Sequence, residues 1–309
     1  MSAPNLLRTA REYLALRRAL GFKLSIESYY LPDFVTFLAK QGSSVITKDL
    51  ALAWAQQRSD RSPNTWAKRL TAVRGFANYV RTFDPRTAVL LRDLVPWRQQ
   101  RPQPHIYSEQ EISALMRVSR QLSPPILRAT YVTLIGLLAA TGMRLGEALA
   151  FEDRDVDWSR SVLLVRRTKF QKTRLIPVHA TTLTAMRHYR ASRNRVFPRR
   201  HDAAFFVSSA GKRLNKRVVE VTFVRLLRRA GIGRGLARRP RLHDLRHTFA
   251  VTTLRDWYRE GIDVEHRLPA LSTYLGHVNP STTYWYLTAT PELLVLAGKR
   301  LTKAWEVRS

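Results

Sequence analysis

The sequence predicts a mainly α protein with a small β-sheet, arranged as two domains. Three observations carry this. Apolar residues in the first third recur every three or four positions between helix start and stop signals. A proline-rich polar stretch, "VPWRQQRPQPHIY" over 95–107, interrupts the pattern. Beyond it, two β-rich runs, "SVLLVRR" and "TRLIPVH", flank the polar "TKFQK" in an otherwise helical region. At 309 residues the chain is long enough for two cores.

Four short helices are expected before the break. "NLLRTAREYLALRRALGF" places Leu6, Tyr13, Leu16 and Leu20 near helical spacing and stops at Gly21. "IESYYLPDFVTFLAKQG" carries Phe34, Val35, Phe37 and Leu38 up to Gly42, with Pro32 tolerable only near the first turn. "TKDLALAWAQQ" begins on Thr47 as an N-cap, and "SPNTWAKRLTAVRGFANYV" on Ser62 with Pro63 at the first helical position. Trp66, Leu70, Val73, Phe76 and Ala77 form the apolar stripe of that last helix. Its basic residues Lys68, Arg69 and Arg74, with Arg58 and Arg61 before it, would ordinarily be a solvated face. The whole-chain excess of 53 Lys plus Arg over 23 Asp plus Glu points to nucleic acid, so they are expected on a DNA-facing surface. The first domain is assigned to 1–95 and the linker to 96–107.

The second domain, 108–309, opens on an S-x-x-E capping box, Ser108 with Glu111. Helices are expected near 109–119 and 125–140, then the hairpin, then helices near 180–192, 216–230, 243–260, 265–276 and 280–287. The tail "TPELLVLAGKRLTKAW" starts with Thr290 as cap and Pro291, and Leu293, Ala297, Leu301 and Trp305 make an apolar stripe.

Composition limits the function classes. Lys plus Arg is 53 against 23 for Asp plus Glu, a formal charge of +30. Such an excess calls for a polyanion, and nucleic acid is the first choice because Lys and Arg release its counterions. Arginine predominates, which favours bidentate phosphate contacts. No cysteine is present, excluding disulfides, thiolate metal sites and a Cys nucleophile. The N-terminus lacks a signal-peptide core, and the most apolar run, 131–143, is too short to span a bilayer. A cytoplasmic protein with no membrane partner is expected.

The residues that can carry chemistry then stand out in order. Arg144 lies in "TGMRLGE", read as a turn opening a helix, with Glu147 one turn on to orient it. Lys169 sits at the hairpin tip, with Lys172 a rival and Arg174 beside it. His243 and Arg246 in "RLHDLRHTFA" share one helix face, where an imidazole and a guanidinium fork can meet an anion. His247 is expected to point elsewhere, as packing or as an orienter. His277 follows the helix end "YLG", and Tyr284 and Tyr286 in "STTYWYL" project about 200° apart, so only one can face a given site.

This set, in this order, resembles the tyrosine recombinases, or phage integrase family, over about 107–290. The resemblance is to the simple two-domain type, with similarity to transposon-encoded members. It implies a helical core-binding domain followed by an α+β catalytic domain. It implies that Arg144 and Arg246 clamp the scissile phosphate and that Lys169 protonates the leaving 5′-oxygen. It gives His243 an acid/base or phosphate-donor role and makes His277 the second histidine. Tyr286 becomes the nucleophile by its spacing after "LGH", and Glu147 the support of the first arginine. Lys68, Arg69, Arg74, Lys172 and Arg174 are taken as DNA contacts. The segment between Arg246 and His277 is longer than in compact members, and Gly146 replaces a common serine.

The expected activity is site-specific recombination through a covalent 3′-phosphotyrosyl intermediate. The bond energy stays in the phosphotyrosine, so neither ATP nor a metal or other cofactor is called for. Partners would be double-stranded DNA carrying the recombination sites, a tetramer of the chain itself, and accessory proteins or other recombinases. Two rivals share the features: a non-catalytic DNA-binding protein, and a type IB topoisomerase that relaxes supercoils.

Overall fold

A computed structural model describes residues 5–57, 63–92, 94–95, 103–166, 173–199, 202–277, 279–288 and 290–306. The chain divides into two compact units, Met1–Pro102 and Gln103–Ser309. Among the described residues no helix is long and apolar enough to cross a membrane.

The first unit holds four helices: α1 (Leu6–Ala19), α2 (Ser25–Lys40), α3 (Lys48–Gln56) and α4 (Pro63–Arg81). The Asn5 side chain accepts from the backbone N–H groups of Leu7 and Arg8 and so starts α1, and Thr47 accepts from Leu50 to start α3. Ser62 lies outside the described residues. Trp54, Phe34, Phe76, Leu31 and Leu38 make the core, with α4 packed on the other three helices.

Several expectations change here. Helix α1 buries Leu6, Ala10, Tyr13 and Leu14, while Leu16 and Leu20 are exposed. At about 100° per residue, Leu16 lies roughly 110° from the middle of the arc set by Leu6, Ala10, Tyr13 and Leu14, and Leu20 falls beyond the last turn. Pro32 is inside α2, its eighth residue, where the ring leaves the Ser28 carbonyl without its helical donor. Arg69 is not on a DNA-facing surface. It is 4% exposed, its guanidinium lies 4.0 Å over the Trp54 ring, and it pairs with Asp33 at 3.3 Å. Asp33 also accepts from the Trp54 indole at 3.0 Å, so one carboxylate holds both groups. Arg74 is half-buried and donates to the carbonyls of Leu90 and Leu91. Lys68 remains exposed, and Arg58 and Arg61 lie outside the described residues.

The second unit begins earlier than the linker boundary. Residues 103–107 belong to it because Tyr107 is buried and its N–H donates to the Thr248 hydroxyl at 2.9 Å. Ser108 and Glu111 form both bonds of the capping box at the start of α5 (Glu109–Ser119). There follow α6 (Pro125–Thr141), the short α7 (Leu145–Ala150), and an antiparallel sheet of β1 (Val156–Asp157), β2 (Val162–Val165) and β3 (Arg174–Pro177) in that spatial order. Strand β1 is a two-residue addition to the expected hairpin. Leu163 pairs with Ile176, and both face the core.

The rest is helical: α8 (Ala180–Val196), α9 (Lys216–Arg229), α10 (Asp244–Arg259), α11 (Val264–Leu275), α12 (Ser281–Tyr284), a 3-10 turn over Trp285–Thr288, and α13 (Pro291–Glu306). One core surrounds α6, with Leu134, Ile135, Met186 and Phe205 fully buried. A second lies among α10, α11 and the C-terminal segments, around Leu254, Leu271, Tyr286 and Leu293.

Candidate active site

Two glycines shape the site. Gly142 ends α6 at φ +58°, and an added Cβ would lie 2.6 Å from Phe249 on α10. Only glycine combines the left-handed turn with that approach. The turn places Arg144 at the N-cap position of α7, one residue before the helix rather than in its first turn. Gly276 ends α11 at φ +67°, and there a Cβ would meet the Arg174 guanidinium at 2.8 Å.

The end of α11 organises three arginines. Its last carbonyls have no helical donors and carry the negative end of the helix dipole. Arg174 Nε donates to the Tyr274 carbonyl at 2.8 Å, Arg246 Nη2 to Leu275 at 2.6 Å, and Arg144 Nη2 to Gly276 at 2.9 Å. Three successive carbonyls thus hold three guanidinium groups drawn from β3, α10 and the start of α7. Arg246 also donates to the Gly142 carbonyl at 2.9 Å and is 2% exposed.

Glu147 supplies the counter-charge. It receives Arg144 Nη1 at 2.9 Å and Arg174 at 3.1 and 2.7 Å, and the Arg144 backbone N–H at 2.9 Å. Burial would raise its pKa, but the bonds and charges of Arg174 and Arg144 outweigh burial and hold it below the usual range. One carboxylate is shared by two arginines, and Arg246 adds a third positive charge. The surplus favours an anion. Arg174, expected as a DNA contact, is 9% exposed at the side chain and belongs to this buried network. Its β3 position behind Glu147 explains the difference. Lys169 and Lys172 lie outside the described residues.

Three imidazoles complete the cluster. His243 sits at the N-cap position of α10, with Arg246 one turn further. Burial, then the Arg246 charge, push its pKa down to about 4. His277 follows Gly276; burial and the Arg246 and Arg144 charges take it to about 3, and its Nδ1 bonds the Thr283 hydroxyl at 2.7 Å. His247 does not point elsewhere. Its Nδ1 lies 3.1 Å from the Tyr286 hydroxyl, and its ring meets His243 edge-on at 4.9 Å. The i, i+4 spacing from His243 is the sequence signal for that shared face. Asp244 and Leu245 turn inward, Asp244 accepting from the Arg241 N–H and guanidinium.

The tyrosines separate by burial. Tyr286, on the 3-10 turn, is 2% exposed and stacks on His277 with ring centroids 6.1 Å apart, whereas Tyr284 is 51% exposed. Beside Arg144 and His243 a cavity of about 940 Å³ opens, lined by Glu147, Lys216, Phe223 and Arg241 among others. Among the described residues no cluster of His, Asp or Glu converges as metal ligands. The arrangement can bind a phosphate between arginines, with neutral imidazoles and a phenol beside it.

The model of the phage integrase family matches residues 106–292. The chain is 42% identical to the putative integrase/recombinase y4rB of Sinorhizobium fredii, covering 98% of both chains. It is 26% identical to the tyrosine recombinase XerC of Chlamydia caviae, over 83% of this chain and 85% of that one. Among solved structures, the XerH site-specific recombinase bound to a palindromic difH substrate, in a post-cleavage complex, superposes with a TM-score of 0.67. That match has 18% identity and covers 90% of this chain and 78% of that one.

Proposed function

The chain belongs to the phage integrase family, the tyrosine recombinases, and from that premise we propose which residues carry out its reaction. The protein is a site-specific DNA recombinase. It binds recombination-site DNA, and it cuts and rejoins strands through a covalent 3′-phosphotyrosyl intermediate. Tyr286 is the nucleophile. Arg144 and Arg246 clamp the scissile phosphate, and His243 and His277 donate to it or exchange protons with it. Lys169 protonates the leaving 5′-oxygen, and Glu147 holds Arg144 in place.

The observation that supports this assignment is the convergence at the end of α11. There Arg144, Arg246 and His277 meet, and Tyr286 stacks on His277. A phosphodiester repels an incoming oxygen until its charge is neutralised. Guanidinium groups already oriented by carbonyls and Glu147 do that without reorganising as the transition state forms. The surplus charge in the site is therefore catalytic electrostatics rather than fold stability.

Strand exchange between two duplexes needs four cuts, which we assign to a tetramer of this chain on DNA. Helix α13, with Leu294 and Val295 exposed, is its connector. The cysteine-free chain fits a reducing compartment, and we place it in the cytoplasm. Lys68, exposed on α4, is a DNA contact of the first unit, which we assign to core binding.

The test is adduct capture on a library of nicked duplexes with randomised sequence, followed by denaturing gel and sequencing. The wild-type chain and Tyr284→Phe should form a covalent adduct, and Tyr286→Phe should form none. An adduct with Tyr286→Phe overturns the nucleophile. Binding without any adduct points to a non-catalytic binder, and supercoil relaxation without recombinant products to a topoisomerase.

A further inference from the structure

The Tyr286 hydroxyl has a hydrogen-bond partner that lies outside the residues assigned above. His247 Nδ1 is 3.1 Å from it. Of the other imidazoles, His277 already has a partner for its Nδ1, which is bonded to Thr283 at 2.7 Å, and its ring lies alongside the Tyr286 ring at 6.1 Å. His243 meets the His247 ring edge-on, with centroids 4.9 Å apart. Helix α10 sets the arrangement, because residues four apart share a face: His243 and His247 stand one above the other, and Arg246 is directed to the carbonyls of Gly142 and Leu275.

We propose that His247 is the base that takes the Tyr286 proton during strand cleavage and returns it during rejoining. The inference rests on Tyr286 being the nucleophile. In cleavage a bond forms between Tyr286 Oη and phosphorus, and the hydroxyl proton passes to His247 Nδ1. The phosphorus–O5′ bond breaks with its electron pair on O5′, which takes a proton from the acid assigned to Lys169. In rejoining, the 5′-hydroxyl attacks phosphorus and gives its proton back to that acid, while His247 returns its own to Tyr286. Acid and base are restored, and no co-reactant enters.

The surroundings suit a base that acts only with substrate present. His247 faces His243, Asp244 and Arg246 on α10, Arg241 from the preceding loop, and Trp285, Tyr286 and His277 from the C-terminal segments. Burial first, and then the charges of this cluster, hold its pKa at about 4, so the ring is neutral at pH 7 and Nδ1 accepts when Nε2 carries the hydrogen. A seated phosphodiester places a negative charge against the Arg246 charge, one of those that depress His247. That opposes the depression and strengthens the base when it is needed.

The experiment measures single-turnover adduct formation on the nicked duplex that the wild-type chain selects from the randomised library. His247→Gln keeps an acceptor for the phenol but takes no proton, and His247→Ala removes both. Both variants should lose about 100-fold in rate, a usual value for a missing general base, with duplex Kd within about threefold. Their rates should rise about tenfold per pH unit from pH 6 to 9, as the phenol loses its proton to solvent, where the wild type is flat. A bridging 5′-phosphorothiolate, whose leaving group needs no proton, should restore Lys169→Ala and leave the His247 variants slow. Full rate in His247→Gln reduces His247 to a hydrogen-bonding prop and overturns the proposal. So does full restoration by the sulfur substrate, or a flat pH profile in both variants. An adduct formed by Tyr286→Phe overturns the nucleophile assignment itself, whereas loss in Tyr286→Phe with full rate in His247→Gln removes only the role of His247.

Discussion

At the residue scale, the site is a problem of placing charge where water is scarce. Glu147 is 8% exposed at the side chain and joins Arg144 to Arg174. Glu147→Gln leaves two guanidinium groups without their counter-charge, and removing one partner of a buried pair costs about 3 kcal/mol. Urea unfolding should show a loss of that size, and adduct formation should fall further because Arg144 is no longer aimed. Unchanged stability would mean that solvent already screens the pair. The histidines predict a pH effect whose sign is fixed. His243, His247 and His277 have folded pKa values of about 4, 4 and 3 against an unfolded value near 6.5. Between these values the unfolded chain binds more protons, so stability falls as pH drops from about 6.5. The DNA-free protein should melt several degrees lower at pH 5 than at pH 7; a constant Tm would show the imidazoles to be better hydrated than their burial implies. In the sequence, His243 and Arg246 stand out by their spacing. The part played by Arg174 does not, because its partners are 27 and 100 residues away along the chain.

At the element scale, the end of α11 matters most. Three arginines from three elements close on three successive carbonyls, and Gly276 lets the chain turn there. Gly276→Ala meets both a left-handed φ, costing roughly 1–2 kcal/mol, and the Arg174 guanidinium at 2.8 Å. Calorimetry should show a modest loss of stability, and single-turnover cleavage a larger loss than stability explains. An activity loss no greater than the unfolded fraction would disconnect the carbonyl row from catalysis. Helix α13 makes a second test. It packs on α10 with Leu293 1% exposed, while its ion pair from Glu292 to Arg259 is exposed and contributes little. Removing 291–309 should cost about 2 kcal/mol through the Leu293 contact. It should leave binding of a single protomer and weaken cooperative assembly on paired sites in gel-shift titrations; unchanged cooperativity would end the connector role. Periodicity makes most helices legible within one or two residues. It fails for Leu16, because a stripe read from spacing does not say which face the neighbouring helices cover.

At the scale of the whole molecule, the charge of +30 predicts that association with DNA is sensitive to salt. A chain making six to ten phosphate contacts loses about 10³–10⁵ in affinity between 50 and 200 mM salt. Fluorescence anisotropy with the selected duplex should follow that slope, and a shallow one would mean that most of the arginines are spent internally. Several are: Arg69 on Trp54 and Asp33, Arg174 on Glu147, and Arg193, fully buried, on Asp153 and the Phe205 carbonyl. Counting basic residues therefore overstates the DNA-facing charge.

Taken alone, the amino-acid order determined the mainly α architecture with its small sheet, the family, and the reaction. Those rest on local signals: caps, apolar spacing, and a set of reactive residues whose order along the chain is itself distinctive. Tertiary structure decided which of these groups meet. It buried Arg69, drew Arg174 into the site, chose Tyr286 over Tyr284 for burial, and brought His247 to the phenol. The reason is physical. Propensity and spacing act over a few residues, whereas a hydrogen bond spanning 39 residues, such as that from Tyr286 to His247, exists only once the helices between them have packed.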